Sequence, residues 1–293
     1  MALEFVFLLE QLLNGLMVGV TYLLIALGLS LIFSLGGIVN LAHGGFYAIG
    51  AYIAVEVGNR FGFATAFFVS PIAVALIGMV VERTLFSRFY RADPILSLLL
   101  TFGLAMVIEQ ALRMLFGATP IPFSIPPFLR GQVFLGDFIY SRYRIAILVV
   151  AAVAVLGLWL LLQRTAFGRV VRAGVQNPDM VGALGISLTP YLTAVAALGI
   201  GLAGLAGVML APISGVHPAM GAEVLTAAFV VVVIGGLGSF WGVVLAGLLV
   251  GLVRGMTVYF MPPAAEASMY LLMLLVLFAR PRGLFGERIL RFE

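Results

Sequence analysis

Cysteine is absent from the 293 residues, which excludes disulfides, thiolate metal sites and cysteine nucleophiles. Lysine is absent as well, because all sixteen basic residues are arginine. A phosphate-cradling GxxxxGK[ST] loop requires its lysine, so any ATP-driven work must be done by another subunit. The only histidines, His43 and His217, lie too far apart for metal-ligand spacing, and no serine has a base and an orienting acid nearby in sequence. A metal site or an intramembrane hydrolase is therefore poorly supported. No basic residue precedes Arg60. The N-terminal apolar stretch thus lacks the positive region of a cleavable signal peptide, and it is expected to stay as a span.

Charge is scarce too, at 10% of residues against 63% hydrophobic, and apolar runs of about 20 residues recur. These runs predict an all-α, polytopic transmembrane helical bundle with about 8–10 spans, broken or short helices included. Nine apolar segments are readable: 7–34, 40–57, 62–82, 94–116, 144–162, 188–211, 222–236, 240–260 and 266–280. Residues 1–293 read as one transmembrane domain. Among the 35 glycines, Gly15/Gly19 and Gly247/Gly251/Gly255 have the four-residue spacing that lets helix backbones approach in lipid.

The net charge of +4 is a topology signal and not a basic face for nucleic acid, because the arginines gather at span ends. Arg83, Arg88 and Arg91 share one loop, Arg164, Arg169 and Arg172 another, and Arg280, Arg282, Arg288 and Arg291 the tail. These ten are expected on the cytoplasmic side. The N-terminus, with Glu4 and Glu10, then lies outside, and an odd number of crossings brings the tail inside. Arg130 and Arg142 run against this scheme, since the 117–143 loop must be external. That loop contains Pro120, Pro122, Pro126 and Pro127, so it cannot be a continuous helix and reads as a stiff cap and a docking surface.

Two stretches carry polar residues where the pattern is otherwise apolar. In the 163–187 loop, Asn177-Pro178-Asp179 is an N-cap, a first-turn proline and an acid suited to the helix dipole, with Gly185 as the stop. The helix so defined, of about two turns, is too short to stand alone in water. Either it sits in a groove of a cytoplasmic ATPase and carries movement to the flanking spans, or it lies against the headgroups. In Asn40 to Tyr52, preceded by Gly36-Gly37, Asn40 and His43 stand near the start of an apolar segment. Polar groups at membrane depth are costly unless they line a cavity or are buried in protein. This is either a broken helix on a translocation path, or a cap by Asn40 with one interhelical hydrogen bond from His43.

Segment 222–236 is short for a crossing and runs into Gly235-Gly236-Leu237-Gly238-Ser239, so a broken or partly inserted helix is expected there. Glu109 and Arg113 are four apart on one helix face and should pair. Glu223 suits a helix N-terminus but could equally attract a substrate ammonium, and His217 reads as an exposed loop residue. With so few charges in the spans, no strong fixed site for a carboxylate or ammonium is visible. A self-sufficient channel or secondary transporter would need ion ligands within the spans, for which only Glu109 and His43 are candidates.

Five blocks in order resemble the LivH-type permease subunits of ATP-binding-cassette importers for branched-chain amino acids. They are GLSLIFSLGGIVNLAHGGFYAIGAY (Gly28 to Tyr52), GRVVRAGVQNPDMVGALGIS (Gly168 to Ser187), ALGIGLAGLAGVML (Ala197 to Leu210), VVVIGGLGSFWG (Val231 to Gly242) and LFARPRGLFG (Leu277 to Gly286). The resemblance implies a multi-pass bacterial inner-membrane permease, not an enzyme, that forms a path with a LivM-type permease. LivF- and LivG-type ATPases would bind ATP and magnesium, and a periplasmic binding protein would deliver branched-chain or related hydrophobic amino acids. Relatives of similar appearance carry urea, short amides or aromatic acids. By resemblance, the coupling residues are Arg169, Arg172, Asn177, Pro178, Asp179, Gly182 and Gly185. The path residues are Asn40, His43, Gly44, Gly45, Tyr47, Gly235, Gly236 and Ser239.

Overall fold

The computed structural model describes residues 2–90, 93–135 and 138–286. Arg91, Arg288 and Arg291, three of the ten arginines assigned to the cytoplasmic side, lie outside the described residues. The helices are α1 (Ala2–Gly36), α2 (His43–Phe61), α3 (Phe63–Thr84), α4 (Pro94–Phe116), α5 (Arg142–Arg164), α6 (Ala166–Gln176), α7 (Pro178–Ala183), α8 (Thr189–Ser214), α9 (Met220–Gly235), α10 (Phe240–Phe260) and α11 (Ala265–Ala279). Seven segments are long and apolar enough to cross a membrane: α1, α3, α4, α5, α8, α10, and α11 together with the 3-10 turn before it (Pro262–Ala279). The short α9 and the less apolar α2 complete the nine apolar segments, so the protein is a polytopic helical membrane bundle.

Burial sorts the spans into two shells. In α1 and α8 most of the apolar stretch is buried in protein, while in α3, α4, α5 and α11 less than a quarter of it is. Glycines set the spacing of the inner shell. A Cβ on Gly19 would lie 2.6 Å from the Gly247 carbonyl oxygen, one on Gly255 2.6 Å from the Gly15 Cα, and one on Gly199 2.6 Å from the Gly28 carbonyl oxygen. The α1–α10 contact therefore uses the two glycine rows read from the sequence, and α8 crosses α1 at a third. A Cβ on Gly36 would touch Leu192, eight residues after Gly28 and seven before Gly199, so α1 and α8 run antiparallel.

The same device occurs twice with opposite polarity. After α1, Gly37 (φ +67°) turns the chain back, and residues 38–42 run without helix to α2. After α8, Gly215 (φ +71°) turns it back, and residues 216–219 lead to α9. A positive φ is open to glycine at little cost, which is why the two returns carry it. Both new helices start inside the bundle. His43 Nε2 lies 3.1 Å from the carbonyl oxygen of Ile25, eleven residues before the end of α1 and so about 16 Å up its axis. The start of α9 meets the start of α2, where a Cβ on Gly221 would lie 2.5 Å from the Gly44 carbonyl oxygen.

The proline-rich loop is not a continuous helix, as its prolines required, and holds local structure the sequence did not announce: a 3-10 turn at Pro127–Leu129 and a hairpin of β1 (Gln132–Leu135) and β2 (Phe138–Ser141). Ile121 and Val216 exchange backbone hydrogen bonds of 2.8 and 3.0 Å, fastening the cap to the second return. Arg130 donates to the Ile125 carbonyl at 2.7 Å, inside its own loop, so one of the two arginines that conflicted with the topology scheme has a local task. The α1 start and the cap lie at one end of the bundle. Arg83, Arg88, Arg164, Arg169, Arg172 and the end of α11 belong to the other.

Candidate coupling element and translocation path

The polar loop between α5 and α8 is two helices rather than one. Thr165 caps α6, its hydroxyl accepting from Gly168 N at 3.1 Å, and Gly168, Val171 and Gly174 form the buried face. Arg172 on α6 donates back to the Leu162 carbonyl, while Arg169 is exposed. Asn177 ends α6 and caps α7, accepting from Met180 N at 2.9 Å, with Pro178 in the first turn. The α7 helix has six residues and is anchored by Val181, which is 4% exposed. Ile186 N donates to the Val181 carbonyl at 3.2 Å around Gly185 (φ +77°). Everything else on this element faces out: Asn177 to Met180 and Gly182 to Ser187 are exposed. Met180 and Leu184 are apolar side chains 58% and 72% exposed.

The path residues fall into two separate places. Asn40, His43 and Tyr47 are fully buried where α2 begins. Asn40 Oδ1 accepts from Ala42 N at 3.1 Å, but Asn40 Nδ2, His43 Nδ1 and the Tyr47 hydroxyl are buried without hydrogen-bond partners among the described residues. Gly44 is occupied by its contact with Gly221, and Gly45 opens on a cavity of about 250 Å³ between α2, α4 and α9. Glu109, Ala222, Leu225 and Thr226 also line that cavity. Glu109 pairs with Arg113 at 2.8 Å, as their spacing required. Gly235, Gly236 and Ser239 lie at the arginine-rich end instead. A Cβ on Gly236 would lie 2.5 Å from Gly286 N, so the chain after α11 packs onto this turn, and Ser239 caps α10 by accepting from Gly242 N at 3.1 Å. Glu223 lies 3.2 Å from His217 Nε2, and the His217 side chain is only 25% exposed.

Residues 11–279 match the family described as the branched-chain amino acid transport system / permease component. This chain belongs to that family. It is 31% identical to the high-affinity branched-chain amino acid transport system permease protein BraD of Pseudomonas aeruginosa, over 95% of this chain and 96% of BraD. It is 27% identical to the permease protein LivH of Escherichia coli K12, over 98% of each. It is also similar to LivM of the same strain, at 27% identity over 90% of this chain and 67% of LivM.

The permease holds two charged groups that the sequence reading passed over. Glu82, at the end of α3, is fully buried and accepts hydrogen bonds from the Tyr90 hydroxyl at 2.9 Å and from Thr193 Oγ1 of α8 at 2.6 Å. Burial first, and then the Glu82 charge, push the Tyr90 phenol above its ordinary value of 10.0. Arg254 lies within α10 with a buried Nε that has no hydrogen-bond partner among the described residues, and its guanidinium carbon stands 5.9 Å from the centre of the Tyr22 ring. Glu223, Glu266 and Tyr270 are within electrostatic range of the same tyrosine. Arg254 thus lies within a span, while Glu223 and Glu266 are exposed at the starts of α9 and α11. The helices α1, α9, α10 and α11 meet only in the fold, so no sequence window contains these groups together.

Proposed function

We propose that this permease is the LivH-type subunit of an ATP-binding-cassette importer, a single permease domain that shares the translocation path with a LivM-type subunit. The observation that carries this reading is the exposed α6–α7 element: capped at both helices, anchored by Val181, and presenting Met180 and Leu184 outward. Separate LivF- and LivG-type ATPases bind ATP and magnesium and press on this element, with Asn177, Pro178, Asp179, Gly182 and Gly185 in the contact. Arg169 and Arg172 transmit the push to α5. The arginine-rich end faces the cytoplasm, and a periplasmic binding protein docks on the proline-rich cap. Movement of α5 and α8 then changes which side the α2–α9 junction faces.

The substrate is an amino acid rather than a neutral solute such as urea or a short amide. Arg254 within α10 offers positive charge to a carboxylate, and the exposed Glu223 and Glu266 at the starts of α9 and α11 offer negative charge to an ammonium, whereas a neutral solute gains nothing from either. Reconstitution with the partner subunits and binding protein tests both parts. Labelled leucine should accumulate only with ATP. Met180→Asp with Leu184→Asp should abolish ATPase binding, and Arg254→Gln should lower uptake roughly ten-fold or more while the complex stays assembled. Accumulation by the permease alone would overturn the importer reading, and unchanged leucine uptake in Arg254→Gln would overturn the zwitterion site.

A further inference from the structure

At the arginine-rich end, a cavity of about 300 Å³ with a mixed polar and apolar lining opens between α1, α5, α6 and the start of α10. It is lined by Ser30, Ser34, Gln163, Arg172, Gln176 and Ser239. Ser34 is bonded within α1, donating to the Ser30 carbonyl at 2.6 Å. The Ser30 hydroxyl has no hydrogen-bond partner among the described residues, although the residue is only 4% exposed. Arg172 supplies the positive charge, and the Gly238 to Trp241 turn brings the N-terminus of the 21-residue α10 to the same wall. The guanidinium of Arg172, one nitrogen of which already donates to the Leu162 carbonyl, together with a helix start and the Ser30 hydroxyl that opens on the cavity, is a donor set for an anion.

Next to it lies an apolar groove of about 540 Å³ between α1, α5 and α10, with Val20, Leu23, Ala152, Val155 and Leu248 on its walls. Trp159 and Trp241 line both spaces, their rings 6.4 Å apart. They are the only tryptophans in the chain. Tryptophan favours the boundary between headgroups and hydrocarbon, so the pair marks the depth at which the cavity gives way to apolar groove.

We propose that cavity and groove together bind one anionic phospholipid of the leaflet at the arginine-rich end. Its phosphate meets Arg172, the Ser30 hydroxyl and the α10 start, and an acyl chain lies in the groove below the tryptophans. The occupant is a lipid rather than free phosphate, because the anion site adjoins a groove whose lining, apart from the two tryptophans, is wholly aliphatic and suits hydrocarbon. Since Arg172 belongs to α6, the lipid joins this helix to α1 and α10. The proposal stands on the cavity and does not depend on what is transported.

The intact complex, purified in mild detergent after reconstitution with phosphatidylglycerol or with phosphatidylcholine, tests it by native mass spectrometry. One phosphatidylglycerol should be retained per permease and phosphatidylcholine should not. Arg172→Gln should reduce retention roughly ten-fold through loss of a charge-assisted contact. Ala152→Phe fills the groove from an outward-facing position, perturbs no buried side chain, and should reduce retention as much. Millimolar inorganic phosphate should not displace the lipid. Equal retention of both lipids, unchanged retention in Ala152→Phe, or displacement by inorganic phosphate would each overturn the proposal.

Discussion

Glu82 owes its buried place to two hydroxyls rather than to an arginine. Tyr90 and Thr193 satisfy its oxygens across three segments, α3, the following loop and α8, so the carboxylate ties the loop to the inner shell. Tyr90→Phe leaves a buried acceptor short of one donor and should cost about 1–3 kcal/mol, read as a lower unfolding temperature in detergent. The Tyr90 phenol is raised in the folded state, so its contribution is complete below the free phenol's 10.0 and fades as pH climbs through the folded value. The gap between wild type and Tyr90→Phe should therefore narrow in strongly alkaline buffer, and a constant gap would remove the phenol from the account. None of this was legible in sequence. Glu82 and Arg83 are neighbours at a span end and look alike as interfacial charges, yet one helical step of about 100° turns Glu82 inward and leaves Arg83 exposed.

At the scale of elements, glycine does different work at positions that look alike in sequence. Gly44 meets Gly221 backbone to backbone where α2 and α9 begin, whereas a Cβ on Gly103 in α4 would meet nothing within 4 Å. Gly44→Ala must push the two helix starts apart and should cost about 1–3 kcal/mol or more. Gly103→Ala should be neutral or gain about 0.5–1 kcal/mol by helix propensity. Thermal stability of the two variants separates packing from propensity. The caps give a second contrast: Asn177→Ala removes the α7 cap at a cost of about 1 kcal/mol to that helix, so ATP hydrolysis should continue while uptake falls. The glycine rows of α1 and α10 and the Asn-Pro-Asp cap were readable because each is a local pattern. The depth at which α2 starts was not, because hydropathy reports how apolar a segment is and not where along a neighbouring helix it begins. The α6 helix was missed, since a polar stretch after a span gives no apolar run to announce a second helix.

For the whole molecule, the first helix starts at the cap end and the last finishes at the arginine-rich end, so the chain crosses an odd number of times. Composition and span-end arginines made this much of the fold legible, because lipid leaves helices as the only spanning structure for such runs. The sign of the orientation follows from arginine placement alone, and the absence of cysteine makes it directly measurable. Thr119 in the cap and Gly182 in α7 are both exposed, so a cysteine at either is accessible to reagent without touching the inner shell. A membrane-impermeant maleimide applied to intact spheroplasts should label Thr119→Cys at once and Gly182→Cys only after permeabilisation. No native thiol contributes background. The reverse pattern would put α6 and α7 outside, beyond reach of any cytoplasmic ATPase, and the coupling role of this element would fall with it.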